Sequence, residues 1–304
     1  MPYENVKPVG VIGLGAIGLG VARSFLRAGI QTFGCDLSAE TRASFEDAGG
    51  RAFATPAGLG AKTRIVFLFV VNASQVRAVL FGNDGLAKVL PKDGIVISCV
   101  TMSPADAVAI GNELRAQGIA MIDAPTSGGA ANAEAGKTKF MAAGAPDDIN
   151  TVGFAFDAAA EQVYRIGDQV GQGSTVKVVH QLLAGVHISA AMEAVALGTK
   201  MGVEPAILYD VVTGCAGNSW MFENRVQHVL DGDYKPLSAV EIFVKDLGLV
   251  LDTGKQQRFP LPLTAAAHQQ FLAASAAGYG DEDDAAVIKV YRDLAGIELP
   301  KEKG

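Results

Sequence analysis

Short, mostly apolar runs recur through the first half of the chain, at residues 9–12, 32–35, 65–71, 95–99 and 119–122. They are rich in β-branched residues, continuous rather than alternating, and bounded by Gly, Pro, Asp or Asn. That pattern predicts strands buried on both faces. Stretches of helical length lie between them, at 18–28 and 104–117. Alternating strand and helix predicts an α/β domain, a doubly wound parallel sheet with helices on both faces. Two further strands are expected at 140–143 and 163–166, flanking a helix over 146–162.

Beyond Gly171 the pattern changes. Residues 174–201 form one long apolar segment without proline, and helical patterns follow at 205–212, 219–230, 240–255, 263–276 and 283–294. No strand is expected there, so the second domain is read as all-α. The reading is an α/β domain over 1–170 and an all-helical domain over 171–304, with the boundary at Gly171-Gln172-Gly173. A 28-residue helix would span about 42 Å at 1.5 Å per residue. It is apolar almost all round, which predicts a buried pillar connecting the domains.

Composition narrows the function classes. The 304 residues carry 25 Lys and Arg against 32 acids, a net charge of −7, with no basic run. That argues against a nucleic-acid or anionic-membrane surface. The longest apolar run, 65–71, is far short of a membrane span. The opening Met1-Pro2-Tyr3-Glu4-Asn5 has no export signal, which favours a cytoplasmic protein. Cys35, Cys99 and Cys215 are odd in number and widely spaced; they read as small buried residues rather than a disulfide framework, a metal site or a catalytic thiol. No metal-ligand cluster is expected.

Gly13-Leu14-Gly15-Ala16-Ile17-Gly18 follows the first strand and opens the first helix. One glycine permits the tight turn, one admits the pyrophosphate to the backbone, and one lets helix pack on strand. The phosphates would sit at the helix N-terminus. Asp36 ends the second strand, placed to accept the adenosine ribose hydroxyls and to repel the 2′-phosphate of NADP, so NAD is the expected cofactor. The alternative is that Asp36 only caps the next helix. Arg42 lies a helical turn away. Val70, Val71 and Asn72, and Thr101, stand at carboxyl ends of strands, where a dinucleotide lies.

Three more motifs stand out. Asp123-Ala124-Pro125-Thr126-Ser127-Gly128-Gly129 offers Ser127 and the backbone of Gly128 and Gly129 to a small anion, or is an ordinary glycine-rich turn. Gly171-Gln172-Gly173-Ser174-Thr175-Val176-Lys177 opens the long helix, and Lys245-Asp246-Leu247 lies in a later one. With the glycine turn, the ordered set resembles the β-hydroxyacid dehydrogenase family, which joins a Rossmann domain to an all-helical one. The resemblance implies that Ser127, Gly128 and Gly129 bind the substrate, that Lys177 is the catalytic lysine, and that Lys245 lies near the nicotinamide. It also matches Val70, Val71, Asn72 and Thr101 to cofactor-contacting positions.

Oxidising an alcohol needs a base for the hydroxyl proton, and a lysine near its free pKa of about 10.4 is a poor one. Burial, the helix N-terminus and a cationic nicotinamide would each favour the neutral amine. In the reverse direction the ammonium would protonate the developing alkoxide. The alternative is a snorkelling surface lysine. Lys-Asp on a helix is, by itself, usually solvated surface.

The chain departs from many relatives by carrying His180, then Gln181, where they have asparagine three residues after the lysine. Positions 177, 180, 181 and 184 share one helical face. His180 and Gln181 are therefore read as substrate contacts, and His187 as a core residue. The added polar capacity suits a substrate with several hydroxyls. The stretches 177–187 and 217–224 resemble the branch acting on four-carbon sugar acids such as L-threonate. Trp220 and Phe222 are read as closing the pocket and Asn218 or Ser219 as meeting a distal hydroxyl; the alternative is a helix cap with Trp220 in the core. The resemblance implies NAD-dependent oxidation of the C2 hydroxyl of such an acid by a homodimer or homotetramer. The rivals are a small aldehyde-acid reductase (tartronate semialdehyde), a 3-hydroxyisobutyrate dehydrogenase, and a non-catalytic dinucleotide sensor.

Overall fold

The computed structural model describes residues 6–303; Met1–Asn5, read above for an export signal, lie outside them. The chain forms two compact units, Met1–Lys177 and Val178–Gly304. The division falls inside the long helix rather than ahead of it at Gly171–Gly173, because the helix start is bonded to the sheet of the first unit.

That sheet has nine strands: β1 (Val9–Ile12), β2 (Thr32–Cys35), β3 (Arg51–Phe53), β4 (Ile65–Leu68), β5 (Ile95–Ser98), β6 (Ala120–Asp123), β7 (Thr126–Ser127), β8 (Thr138–Ala143) and β9 (Ala160–Gly167). Their order is β3-β2-β1-β4-β5-β6-β8-β7, with β9 also on β8. From β3 to β6 all pairs are parallel. β8 then runs antiparallel to β6 and β7, so the expected parallel sheet is mixed at one edge.

Burial on both faces follows from side-chain alternation. Along β4, Ile65 and Phe67 enter one core with Phe25, Phe140 and Phe156. Val66 and Leu68 enter another with Leu80, Ile110 and Leu114 on the opposite face. The chain leaves β1 toward β2 and β3, then returns to β4 on the other side of β1. That reversal opens a crevice at the carboxyl ends of β1 and β4.

Two expected elements differ. The run 65–71 ends as a strand at Leu68, because Asn72 caps the helix Ala73–Phe81 and the Gln75 side chain takes the Val71 N–H. The helix over 146–162 is two short ones, Pro146–Thr151 and Gly153–Ala159, with Val152 outside helical geometry at the join. The strand β9 begins at Ala160.

In the second unit no strand occurs among the described residues, only an isolated bridge between Ala239 and Asp283. The long helix, Gln172–Lys200, runs into a core with the helices Trp220–Asp231, Val240–Gln256 and Pro262–Ala274. Ile188, Met192, Phe222, Leu247 and Phe271 belong to that core. Small residues face inward, so neighbours approach closely: a Cβ on Gly185 would stand 2.7 Å from Leu247. The expectation of burial all round is not met. Val179, Leu183, His187 and Leu197 are exposed, because a helix apolar on every side carries no signal choosing its inner face. His187 is therefore a surface residue and not a core one. By length and composition the helix could cross a membrane, a possibility that run-counting missed. Here it is a core helix, with Ser189 bonded to Gln270.

The acidic stretch 281–284 serves this unit's own fold. Arg225 donates to both carboxylate oxygens of buried Asp284 at 2.5 and 3.2 Å, and Asp283 accepts from the Leu237 and Ala285 N–H groups. Both carboxylates raise the Arg225 guanidinium further, against the lowering effect of burial. Phe222 stacks on Tyr209 within the core. Cys35 and Cys99 are buried; burial, with Asp36 adding, pushes the Cys35 thiol up to about 11, as expected of an inert thiol. Cys215 is exposed, contrary to the reading of all three as buried.

Candidate active site

The glycine turn sits at the crevice the topology creates. Gly13 holds φ at +89°, and a Cβ there would stand 2.6 Å from the Phe69 carbonyl oxygen. Only glycine permits both the conformation and the approach of β1 to β4. A Cβ on Gly18 would meet the Gly13 carbonyl at 1.9 Å, so the helix Ala16–Arg27 can lie directly on the turn. At Gly15 a Cβ would meet nothing within 4 Å. Gly15 is the N-cap, without a side-chain cap, so the helix begins at a spacious turn rich in N–H donors. That arrangement fits a pyrophosphate.

Asp36 bonds this turn to β2. Its Oδ2 accepts from the Leu14 N–H at 2.8 Å and its Oδ1 from the Ser38 N–H at 2.9 Å. A carboxylate has about four acceptor sites, so two remain for ribose hydroxyls. The capping alternative is displaced, since Ser38 itself caps the helix Ala39–Asp47. Arg42 is nearer than the spacing suggested: it folds back and donates to the Asp36 and Leu37 carbonyls at 2.7 and 2.9 Å. Val70 and Thr101 are half-buried beyond the strand ends, and Val71 is exposed there. Asn72 spends its Oδ1 on its own helix, accepting from Gln75 N and Ser74 Oγ.

The motif 123–129 and the start of the long helix are one construction. Asp123, fully buried at the carboxyl end of β6, accepts from Gly171 N at 2.9 Å, Ser174 N at 2.7 Å and Ser174 Oγ at 2.8 Å. Burial raises the Asp123 carboxyl above its ordinary range, and the bonds from Ser174 and Gly171 pull it back. A Cβ on Gly173 would stand 2.4 Å from the Asp123 carbonyl oxygen, so the helix begins hard against the sheet. The sequence assigned Asp123 no role. The available signal was an acid ending an apolar strand, which obliges nearby donors.

Lys177 lies one turn beyond Ser174. It is 7% exposed, and its Nζ donates to the Thr126 carbonyl at 2.8 Å. The snorkelling alternative fails. Since the helix begins at Gln172, Lys177 is in its second turn and not its first, where the helix dipole acts more weakly. Ser127 and Gly128 are half-buried and Gly129 is exposed. Gly128 and Gly129 hold φ at +122° and +70° as the chain enters the helix Gly129–Glu134.

In the second unit, His180 Nδ1 is 2.9 Å from Gln181 Oε1. Gln181 Nε2 donates to Asp246 Oδ2 at 2.5 Å, and Lys245 Nζ to Asp246 Oδ1 at 2.5 Å. Asp246 is 2% exposed, so Lys245-Asp246 is not solvated surface. Ser219 caps the helix Trp220–Asp231, as the alternative reading had it. Asn218 Nδ2 donates to Glu223 Oε1 at 2.6 Å. Trp220 is 63% exposed and is not a core residue.

Comparison with known proteins agrees with this construction. Residues 8–167 match the family described as the NAD binding domain of 6-phosphogluconate dehydrogenase, and residues 171–291 match the one described as NAD-binding of NADP-dependent 3-hydroxyisobutyrate dehydrogenase. The chain is 55% identical to L-threonate dehydrogenase of Cupriavidus necator over 97% of this chain and 98% of that one. It is 49% identical to L-threonate dehydrogenase of Haemophilus influenzae over 99% of each. A crystal structure described as 3-hydroxyisobutyrate dehydrogenase from Salmonella typhimurium superposes with a TM-score of 0.87 at 51% identity, covering 93% of this chain and 99% of that one. The chain is an NAD-binding hydroxyacid dehydrogenase and belongs to the 3-hydroxyisobutyrate dehydrogenase-like, or β-hydroxyacid dehydrogenase, family.

Proposed function

We propose that this chain oxidises the C2 hydroxyl of L-threonate to the 2-oxo acid with NAD. The observation that carries the reading is the buried Lys177 amine, fixed on Thr126 immediately before Ser127, Gly128 and Gly129. Close identity to two L-threonate dehydrogenases supports the substrate. When bound, the nicotinamide supplies the hydride acceptor for the hydrogen on C2. The glycine turn 13–18 and Asp36 hold the dinucleotide, with Val70, Val71, Asn72, Thr101 and Lys245 as its further contacts. Ser127 and the Gly128 and Gly129 backbone hold the substrate carboxylate. Lys177 takes the hydroxyl proton as the C2 hydrogen leaves, and the resulting ammonium stabilises the oxygen it faces. His180 and Gln181, one turn further along the helix, read the remaining hydroxyls, and Trp220 borders the substrate.

Formation of NADH, followed by absorbance with L-threonate, erythronate, glycerate and 3-hydroxyisobutyrate, tests this. We expect L-threonate to give the highest kcat/KM. The name of the Salmonella structure supports a second reading, 3-hydroxyisobutyrate as substrate, and turnover of that acid alone would establish it.

Asp36→Ser should lower kcat/KM for NAD by about tenfold or more, the worth of a charged hydrogen bond. It should raise kcat/KM for NADP, since the repelling carboxylate is gone and Arg42 stands beside the position. The same assay with each cofactor checks both. We place the protein in the cytoplasm and assign it a homodimer or homotetramer, supported by the exposed apolar positions Val179, Leu183, Leu197 and Met201.

A further inference from the structure

The chain from Lys245 to His180 has a direction. An aspartate carboxylate only accepts hydrogen bonds, whereas a glutamine amide donates from nitrogen and accepts at oxygen. Asp246 accepts from Lys245 at one oxygen and faces Gln181 at 2.5 Å with the other. The Gln181 NH₂ must therefore point at Asp246, since the reverse orientation would set two acceptors against each other. Its Oε1 is then turned to His180, 2.9 Å from Nδ1. An amide oxygen cannot donate, so the Nδ1 must carry a proton. In the neutral ring the lone pair then belongs to Nε2.

We propose that Asp246 is a positioning residue for substrate specificity: through the Gln181 amide it fixes His180 as the Nδ1–H tautomer, so that Nε2 accepts a hydrogen bond from a hydroxyl of the polyhydroxy acid. The hydroxyl-reading part rests on the function proposed above; the lock itself does not. Asp246 and Gln181 are 2% and 7% exposed, so water competes little for either group. An asparagine amide in place of His180 could turn either end to the substrate. A locked imidazole offers an acceptor only, which selects for a hydroxyl at that place.

The test is ¹⁵N NMR of the histidine rings in the full-length protein with NAD bound, at about pH 9, where an ordinary ring of pKa about 6.5 is neutral. His180 is assigned by the resonances lost in His180→Asn. We expect the wild-type ring proton on Nδ1. In Asp246→Asn the new amide can donate as well as accept, which frees Gln181 to flip, and the ring should become a tautomer mixture. In Gln181→Glu/Asp246→Asn the partners are exchanged, an acceptor again faces His180, and the Nδ1–H form should return. In parallel, kcat/KM for L-threonate should fall about tenfold in Asp246→Asn, the worth of one hydrogen bond. That for 2-hydroxybutyrate, which lacks the further hydroxyls, should change much less.

A wild-type proton on Nε2, or a tautomer unmoved by Asp246→Asn, overturns the lock. An equal fall for both acids overturns the specificity role. The ring readout needs no turnover, so a wild-type protein inactive on L-threonate refutes the activity reading while the ring proton still decides the lock.

Discussion

Replacing Lys177 by methionine should lower kcat for L-threonate oxidation by about a thousandfold, within the range for loss of a positioned general base, while NAD binding should persist. Methionine keeps most of the buried stem and removes the amine that reaches Thr126. The dinucleotide contacts assigned here lie elsewhere, at the glycine turn and Asp36, so NAD affinity followed by fluorescence titration should stay within about twofold, as expected of independent sites. Stability should change little: Thr126 loses one donor, but a carbonyl tolerates this better than a buried N–H would. Lys177→Arg separates two roles. Arginine keeps the positive charge yet cannot act as a base, its pKa being above about 12. If proton transfer is the main contribution, arginine is as inactive as methionine. If charge alone stabilises the reacting oxygen, it retains much of the rate. Full activity in Lys177→Met would refute the assignment.

Much of this architecture is legible in the sequence for identifiable reasons. The central strands are buried on both faces, so their signal is a continuous apolar run, and β1, β2, β4 and β5 all begin where such a run begins. The glycine turn is local, and its three glycines answer to contacts within one strand–helix unit and its neighbour β4. What escaped is not local. β3 is a three-residue edge strand, partly exposed and opened by Arg51, so no apolar run marks it. The reversal at β8 depends on pairing with β6 and β7, which no periodicity encodes. Asp123 meets Ser174 51 residues away, and Gln181 meets Asp246 across 65, distances at which spacing says nothing. His187 and Val179 show the other limit: on a helix apolar all round, composition identifies a core helix without identifying its core face.

Asp123 illustrates how such a non-local contact governs chemistry. Asp123→Ala removes the acceptor of three hydrogen bonds inside a fully buried site. Two of the donors are backbone N–H groups of the helix start, which have no helical partner of their own. Each buried donor left unsatisfied costs about 1–3 kcal/mol, so we expect the first unit to lose about 3–5 kcal/mol, the loss typical of breaking a buried charged cluster. Chemical denaturation measures this. The same bonds set where the long helix begins, and Lys177 follows Ser174 by one turn. Loosening the anchor therefore displaces the amine from Thr126, and a shift of about 1 Å at a reacting group is worth about a hundredfold in rate. Asp123→Asn divides the effects. Its single oxygen can serve one donor while its NH₂ opposes another, so it should keep the fold at room temperature yet lose most of the hundredfold in kcat. Binding of NAD, made by the glycine turn on β1, should be retained. A well-folded Asp123→Asn with wild-type kcat would show that the helix start, and Lys177 with it, holds its place without the carboxylate.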